Sequence, residues 1–134
     1  MKRIKHLLLV DDDPTTNFFN RHLITKTGCC DVIHEAKNGQ EALDILELLR
    51  GRNEFPEIIL LDINMPIMNG FEFLDRYIQM EKNLRTVVVC MLTTSLADED
   101  LLRAQKYEVL RDYIDKPLRE SKINELLEKY FSDK

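Results

Sequence analysis

Two short apolar runs that each end on aspartate constrain the fold of this chain more than any other feature. Residues 7–10 (Leu-Leu-Leu-Val) lead into three aspartates at 11–13, and residues 58–61 (Ile-Ile-Leu-Leu) lead into Asp62. Uninterrupted apolar runs of this length are typical of strands that are buried on both faces of a parallel sheet. A carboxylate that follows such a strand lies at the carboxyl end of the sheet, where open α/β folds bind their ligands.

If the two strands are neighbours, three or four carboxylates crowd into one shallow site. Like charges at that distance repel each other unless a proton or a cation lies between them. A hard divalent cation with oxygen ligands is the occupant that suits such a cluster. A single aspartate in this position more often ends a strand or caps the next helix. The two aspartate-ending runs together, with Lys116 further along the chain, favour a cation-binding site.

Strand and helix patterns alternate along the whole chain. Five βα units with short connections predict one domain in which a parallel sheet is covered by helices on both faces. The predicted strands are Ile4–Val10, Val32–Ala36, Ile58–Asp62, Val87–Leu92 and Tyr113–Asp115, and the last helix is predicted over Leu118–Phe131.

Turn and cap residues predict where helices begin and end. Asp13 before Pro14 predicts the start of the first helix, and Gly28 predicts its end. Residues 95–98 (Ser-Leu-Ala-Asp) form a capping box for the helix after the fourth strand. The apolar face predicted for the first helix consists of Phe19, Leu23 and Ile24. The face predicted for the third helix consists of Phe71, Leu74 and Ile78.

Composition excludes several classes of protein. The chain has 134 residues and a net charge of −5 with no basic block, which argues against nucleic acid or an anionic membrane as the main partner. No apolar stretch approaches the length of a membrane span. The start Met1-Lys2-Arg3 is followed by only a short apolar run without a small-residue cleavage site, so a cytoplasmic protein is expected.

The cysteines and histidines form no recognisable ligand spacing. Cys29 and Cys30 are adjacent and Cys90 lies inside an apolar run, so a zinc site is not supported. Cys90 is expected to be a small buried hydrophobe, while a redox role for the adjacent pair stays open. The histidines fall on different predicted elements and are expected to be unrelated structural residues: His6, His22 and His34.

Five sequence blocks in the same order resemble the receiver domain of bacterial two-component response regulators, of the single-domain, chemotaxis-regulator type. The resemblance covers essentially the whole chain, 1–134, with no output domain. It implies a flavodoxin-like sheet of strand order 2-1-3-4-5 and a phosphoryl group taken onto an aspartate. The blocks are Leu9-Val10-Asp11-Asp12-Asp13-Pro14, Asn38-Gly39-Gln40-Glu41-Ala42-Leu43, Leu60-Leu61-Asp62-Ile63-Asn64-Met65-Pro66-Ile67-Met68-Asn69-Gly70, Met91-Leu92-Thr93-Thr94 and Asp112-Tyr113-Ile114-Asp115-Lys116-Pro117.

The resemblance implies a role for each acidic-site residue. Asp62 would be the phosphoacceptor, since a carboxylate can attack phosphorus as a nucleophile. Asp12 would bind Mg²⁺ directly, Asp11 would act mainly through coordinated water, and Asn64 would offer its backbone carbonyl. Mg²⁺, which Mn²⁺ can replace, suits this set because it combines a few oxygen ligands with water and phosphate oxygens.

Three further residues match positions of the family that respond to the phosphoryl group. The Thr93 hydroxyl would donate to a phosphoryl oxygen, although alone it is equally well explained as a strand residue satisfied locally. Lys116 would pair with Asp62 or with the phosphoryl group, and in the family the peptide bond matching Lys116–Pro117 is cis. Tyr113 occupies the aromatic switch position; without the resemblance it is a half-buried strand aromatic.

The partners implied are a histidine kinase or phosphotransfer protein and an unidentified downstream protein, with the chain a monomer or a weak phosphorylation-dependent dimer. Two other classes of protein are alternatives. A hydrolase with an aspartyl-phosphate intermediate usually has an acid/base aspartate two residues after the nucleophile, where this chain has Asn64. A flavin- or nucleotide-binding module lacks support because three aspartates replace a glycine-rich phosphate loop after the first strand.

Overall fold

The computed structural model describes residues 3–65, 68–80, 87–93 and 98–131. Strands and helices alternate along this part of the chain. The strands are β1 (Ile4–Val10), β2 (Cys30–Ala36), β3 (Ile58–Leu61), β4 (Val88–Thr93) and β5 (Leu110–Asp115). The helices are α1 (Pro14–Thr27), α2 (Gly39–Leu49), α3 (Gly70–Met80), α4 (Asp98–Ala104) and α5 (Glu120–Tyr130).

The five strands form one parallel sheet in the order β2-β1-β3-β4-β5, which confirms the predicted flavodoxin-like topology. Every residue of β3 and β4 is buried, as the uninterrupted apolar runs predict. Alternate residues of these strands belong to two separate apolar clusters, one on each face of the sheet. Because the helices cover both faces, a ligand can approach the sheet only at the ends of its strands.

Three predicted boundaries were wrong by two residues or more. β2 begins at Cys30, two residues before the predicted Val32, and β5 begins at Leu110, three residues before Tyr113. Both are outer strands of the sheet with exposed polar residues along them, so a criterion based on apolar runs recognises only part of each. α5 begins at Glu120 and not at Leu118. The prediction began too early because Leu118 is buried ahead of the helix and extends the apolar pattern without being helical.

The ends of α1 were predicted correctly, and its buried face was predicted in part. Asp13 accepts a hydrogen bond from the Thr15 amide at 3.0 Å, and Gly28 ends the helix with a φ of 68°. Ile24 is buried as predicted and Leu23 is partly buried against the core, whereas Phe19 is 62% exposed and two asparagines, at 17 and 20, are buried. Hydropathy could not reveal this, because the buried amide of Asn17 donates to the Asp11 carbonyl at 2.9 Å and so tolerates burial.

The predicted face of α3 was wrong at one position and incomplete at two. Ile78 is 40% exposed, whereas Phe73 and Tyr77 are fully buried beside Phe71 and Leu74. The capping box predicted at residues 95–98 lies outside the described residues except for Asp98, where α4 begins. Within the described chain, no helix has both the length and the apolar character needed to cross a membrane.

The expected burial of Cys90 is confirmed, since its side chain is fully buried and burial raises its thiol pKa to about 12. The expectation that the histidines are unrelated was wrong for two of them. His6 on β1 and His34 on β2 approach each other to 3.2 Å between ring nitrogens. The pattern missed this because they are distant in sequence and become neighbours only through the parallel pairing of β1 with β2.

Candidate functional site

The pairing of β1 with β3 brings the two acidic segments together. Val10 and Leu61 are paired across these strands, so Asp11 and Asp62 follow them side by side. The Asp62 amide donates to the Val10 carbonyl at 2.9 Å, and the Asp11 amide donates to the Ala36 carbonyl at 3.1 Å. The backbone of both aspartates is therefore fixed by the sheet, and their side chains lie at its carboxyl edge.

The carboxylates of Asp11, Asp12 and Asp62 form the acidic cluster. One oxygen from each lies within 4.8 Å of the others. The residues differ in burial, because Asp11 is 3% and Asp62 is 7% exposed, whereas Asp12 is exposed. Asp13 points elsewhere, since its carboxylate caps α1 through Thr15 and Thr16. The cluster thus has two carboxylates in its wall and a third at its mouth.

Lys116 is the positive charge of the site. It follows β5, and its side chain crosses the end of the sheet to reach Asp11 at 2.6 Å and Asp62 at 3.5 Å. Its own amide donates to the Thr93 carbonyl at 2.7 Å, and the following bond to Pro117 is cis, as the family resemblance implies. Lys116 therefore links the ends of β1, β3 and β4.

The charges in the cluster do not balance, and the pKa values reflect this. Burial, followed by the charge of Asp11, raises the pKa of Asp62 to about 6, although Lys116 acts in the opposite direction. Burial alone would lower the pKa of Lys116, but its hydrogen bond with Asp11 and the charges of Asp11 and Asp62 leave that pKa above its ordinary value. A divalent cation at the cluster would compensate the excess negative charge and favour ionised Asp62.

Thr93 and Tyr113 lie on neighbouring strands at this same edge. Thr93 ends β4 and is 1% exposed. Tyr113 on β5 is paired with Met91, which lies two residues before Thr93 on β4. Paired residues of parallel strands point to the same face, so Thr93, Met91 and Tyr113 share a face of the sheet. Tyr113 is half-buried against the apolar cluster there, and burial, then Asp112, raises its pKa. Asn64 is exposed two residues after Asp62.

Two supporting residues were missed by the sequence analysis. Asn17 on α1 holds the Asp11 carbonyl, and no pattern in the sequence distinguishes it from a solvated polar residue. Gly70 opens α3, and a Cβ there would lie 2.6 Å from the Asp62 carbonyl oxygen and 3.0 Å from the Ile63 Cα. Glycine at this position lets the start of α3 approach the segment that carries Asp62; the signal available in the sequence was its place at the end of the block over residues 60–70.

Comparison with known proteins identifies the family. The family model for the response regulator receiver domain matches residues 7–128. This chain belongs to the receiver domain family. The receiver domain is 34% identical over 122 residues to a chemotaxis protein CheY homolog from Campylobacter jejuni, with 91% of this chain and 88% of that protein covered.

Solved structures give the same result. A two-component response regulator from Cytophaga hutchinsonii matches the receiver domain with a TM-score of 0.89 and 32% identity, over 98% of this chain and 99% of that one. A response regulator receiver protein from Dyadobacter fermentans matches with a TM-score of 0.82 and 26% identity, over 96% and 99% of the two chains. The receiver domain therefore has a role in two-component signalling, in which a histidine kinase and downstream targets are the partners.

Receiver domains use Mg²⁺ in an acidic pocket, and the residues present here fit that ion. The three carboxylates of the acidic cluster supply hard oxygen donors. Its exposed member, Asp12, is open to solvent, so water could complete the coordination. No histidine or cysteine belongs to this cluster among the described residues, which favours Mg²⁺ or Mn²⁺ over softer ions.

Proposed function

We propose that this protein accepts a phosphoryl group on Asp62 from a phosphohistidine of its partner, in a Mg²⁺-dependent reaction, and signals through protein contacts. The observation that carries the proposal is the position of Asp62 beside the other acidic-cluster carboxylates and 3.5 Å from the Lys116 ammonium. A carboxylate oxygen of Asp62 attacks phosphorus while the bond from phosphorus to the histidine nitrogen breaks, and the nitrogen keeps the electron pair. The product is an acyl phosphate.

The chain's own residues position and neutralise the groups in this step. Bound Mg²⁺ would offset the charge that develops on the transferring oxygens, and Asp11, Asp12, Asp62 and the Asn64 carbonyl would hold it. Lys116 is already 3.5 Å from Asp62, and it would move its contact to a phosphoryl oxygen as the carboxylate is phosphorylated. Thr93 would donate its hydroxyl to another phosphoryl oxygen.

The phosphodonor protein is proposed to approach across α1. Phe18 and Phe19 on this helix are 64% and 62% exposed, which is unusual for adjacent aromatic residues. Phe19 also borders a cavity of about 320 Å³ that reaches the site, lined by Thr16, Phe19, Asn20, Lys116, Pro117 and Leu118. An apolar surface that adjoins the acceptor suits a partner whose histidine must reach Asp62.

We place the protein in the cytoplasm, where histidine kinases obtain their ATP. Phosphorylation is proposed to promote at most weak dimers.

A small phosphodonor tests the acceptor without a partner protein. With acetyl phosphate and Mg²⁺, intact-mass spectrometry should detect one added phosphoryl group on the wild type and none on Asp62→Asn. Asp13→Asn is the matched control, because Asp13 caps α1 and lies outside the acidic cluster. If Asp62→Asn gains the group to the same extent as the wild type, the acceptor assignment is wrong.

The donor surface needs a separate comparison. Phosphotransfer should be profiled against the histidine kinases of the source organism, and the kinases that react should then be tested with Phe18→Ser/Phe19→Ser. This variant should lose transfer from protein donors yet react normally with acetyl phosphate. Equal losses with both donors would assign the effect to the site or the fold rather than to docking on α1.

A further inference from the structure

A second cluster of ligand-type side chains lies at the opposite end of β1 from the acidic cluster. His6 on β1 and His34 on β2 belong to the same face of the sheet, since His6 is paired with Val32 and His34 with Leu8. His6 Nδ1 is 3.2 Å from His34 Nε2. The ring centroids are 5.4 Å apart and the planes differ by 16°, so the rings meet edge to edge rather than face to face.

Two ring nitrogens at this distance need a shared proton or a metal ion between them. If both presented lone pairs they would repel each other, so in the metal-free protein one ring donates an N–H and the other accepts it. A metal ion satisfies the same pair of nitrogens. Two imidazoles bound to one tetrahedral ion at 2.0–2.1 Å place their nitrogens about 3.4 Å apart. The nitrogens are therefore already close to this separation, and each ring needs to turn so that its lone pair points at the ion.

We propose that His6 and His34 form a binding site for one divalent transition-metal ion of the imidazole-preferring class, such as Zn²⁺, at the β1–β2 edge of the sheet. Water completes the coordination. The ring that donated the shared hydrogen bond moves its proton to its other nitrogen, so binding to the neutral pair releases no proton. Each nitrogen then gives its lone pair to the ion.

The charges around the pair admit a cation at neutral pH. Burial, then His6, lowers the pKa of His34, and neutral imidazole is the form that binds metal. The Glu54 carboxylate acts on His34 in favour of positive charge, whereas Arg21 acts against it. Cys30, at the start of β2, packs against the apolar cluster on the other face of the sheet, and burial raises its thiol pKa to about 11, so it stays protonated and is a poor ligand.

This histidine site is separate from the acidic cluster in position and in chemistry. Asp11 lies five positions after His6 in extended chain, which corresponds to about 16 Å along the strand. Imidazole nitrogens select ions such as Zn²⁺, whereas the three carboxylates of the acidic cluster select Mg²⁺. A metal bound to both histidines would also join β1 to β2, an outer strand of the sheet, and so stabilise the folded state.

Titration calorimetry with Zn²⁺ in excess Mg²⁺ tests the site directly. The wild type should bind one Zn²⁺, and His6→Gln and His34→Gln should each weaken binding by about tenfold or more. The double variant Cys29→Ser/Cys30→Ser should bind as the wild type does. Loss of binding in the cysteine variant would overturn the proposal, as would equal binding by the wild type and His34→Gln.

Nitrogen-15 NMR of the imidazoles keeps the test valid if a variant folds poorly. Adding Zn²⁺ to the wild type should shift the signals of His6 Nδ1 and His34 Nε2 and leave those of His22 unchanged. The unfolding midpoint should rise with Zn²⁺ in the wild type and not in the histidine variants. Unchanged His6 and His34 signals at millimolar Zn²⁺ would also overturn the site.

Discussion

Asp62 carries an electrostatic cost that its environment imposes. Burial places the carboxylate next to Asp11, and the single charge of Lys116 is shared between the two at 2.6 and 3.5 Å. The result is a pKa of about 6 against an ordinary 3.8. The metal-free fold therefore disfavours the ionised form of the group proposed as the nucleophile, and a cation at the cluster would favour ionised, reactive Asp62.

The first prediction follows from the sign of this shift. Between about pH 4 and pH 6 the folded protein holds a proton on Asp62 that the unfolded chain has released, so the free energy of unfolding falls as the pH rises through this window. The change amounts to between about 1 and 3 kcal/mol. Urea unfolding with a chelator at several pH values should show this decrease in the wild type, and Asp62→Asn should lack it. Identical pH profiles for the two proteins would contradict the pKa.

The second prediction separates metal binding from folding at Asp12. Because Asp12 is exposed, replacing it removes a ligand without leaving a cavity. Asp12→Ala should abolish Mg²⁺ binding in calorimetry and change the free energy of unfolding of the metal-free protein by no more than about 1 kcal/mol. Lower repulsion within the acidic cluster favours a small gain. Wild-type Mg²⁺ affinity in this variant would refute the role of Asp12.

At the scale of elements, prediction from the sequence succeeded where hydropathy alone decides the structure. The interior strands were recognised because β3 and β4 are apolar along their whole length, and α1 because Asp13 and Gly28 mark its ends. It failed where tertiary partners decide. Asn17 is buried because a backbone carbonyl accepts its amide, and Phe19 is exposed although its hydropathy predicts burial.

The same division applies to the candidate site. The acidic cluster was predicted because the ends of two buried strands can be read from the chain. The contacts of Lys116, which crosses the end of the sheet to reach Asp11, depend on strand order, and strand order came only from the family resemblance. The histidine pair depends on the register of β1 with β2, which neither pattern nor resemblance provided.

The third prediction concerns the junction between β3 and α3. Gly70→Ala should destabilise the protein by about 1 to 3 kcal/mol, because the new Cβ would overlap the Asp62 carbonyl. It should also shift the amide NMR signals of Asp62 and Ile63. Gly28→Ala is the matched control: its φ of 68° makes it costly too, but nothing lies within 4 Å of its Cβ. An undisturbed Asp62 signal in Gly70→Ala would disprove the close approach.

Across the whole molecule, a continuous set of contacts leads from the site to α4. α3 starts beside Asp62 and carries Phe71, whose ring stacks on Tyr107 at 5.8 Å and lies 4.4 Å from the Arg103 guanidinium. The Tyr107 hydroxyl donates to Asp75 on α3 at 2.7 Å. Tyr113 on β5 packs into the same apolar cluster as this group. A change at the carboxyl edge can therefore alter how α4 and β5 pack on α3.

The fourth prediction is that phosphorylation shifts the population between two packings of this region. A phosphoryl group on Asp62 would draw in the Thr93 hydroxyl, and the space it leaves would admit the Tyr113 ring, which lies on the same face. Beryllium fluoride with Mg²⁺, a stable mimic of the phosphoryl group, should shift amide NMR signals over residues 98–118 as well as beside Asp62.

Thr93→Ala decides whether the hydroxyl transmits this change. The variant should still form the beryllium fluoride adduct, detected by fluorine-19 NMR, because Asp62 and the acidic cluster are intact. Its amide shifts over residues 98–118 should be much smaller than those of the wild type, while shifts next to Asp62 persist. A differential contact made only in the phosphorylated state is the physical requirement for such a shift in population. A full distant response in Thr93→Ala would assign the switch to another residue, and a wild type that changed only beside Asp62 would show that this region does not respond to phosphorylation.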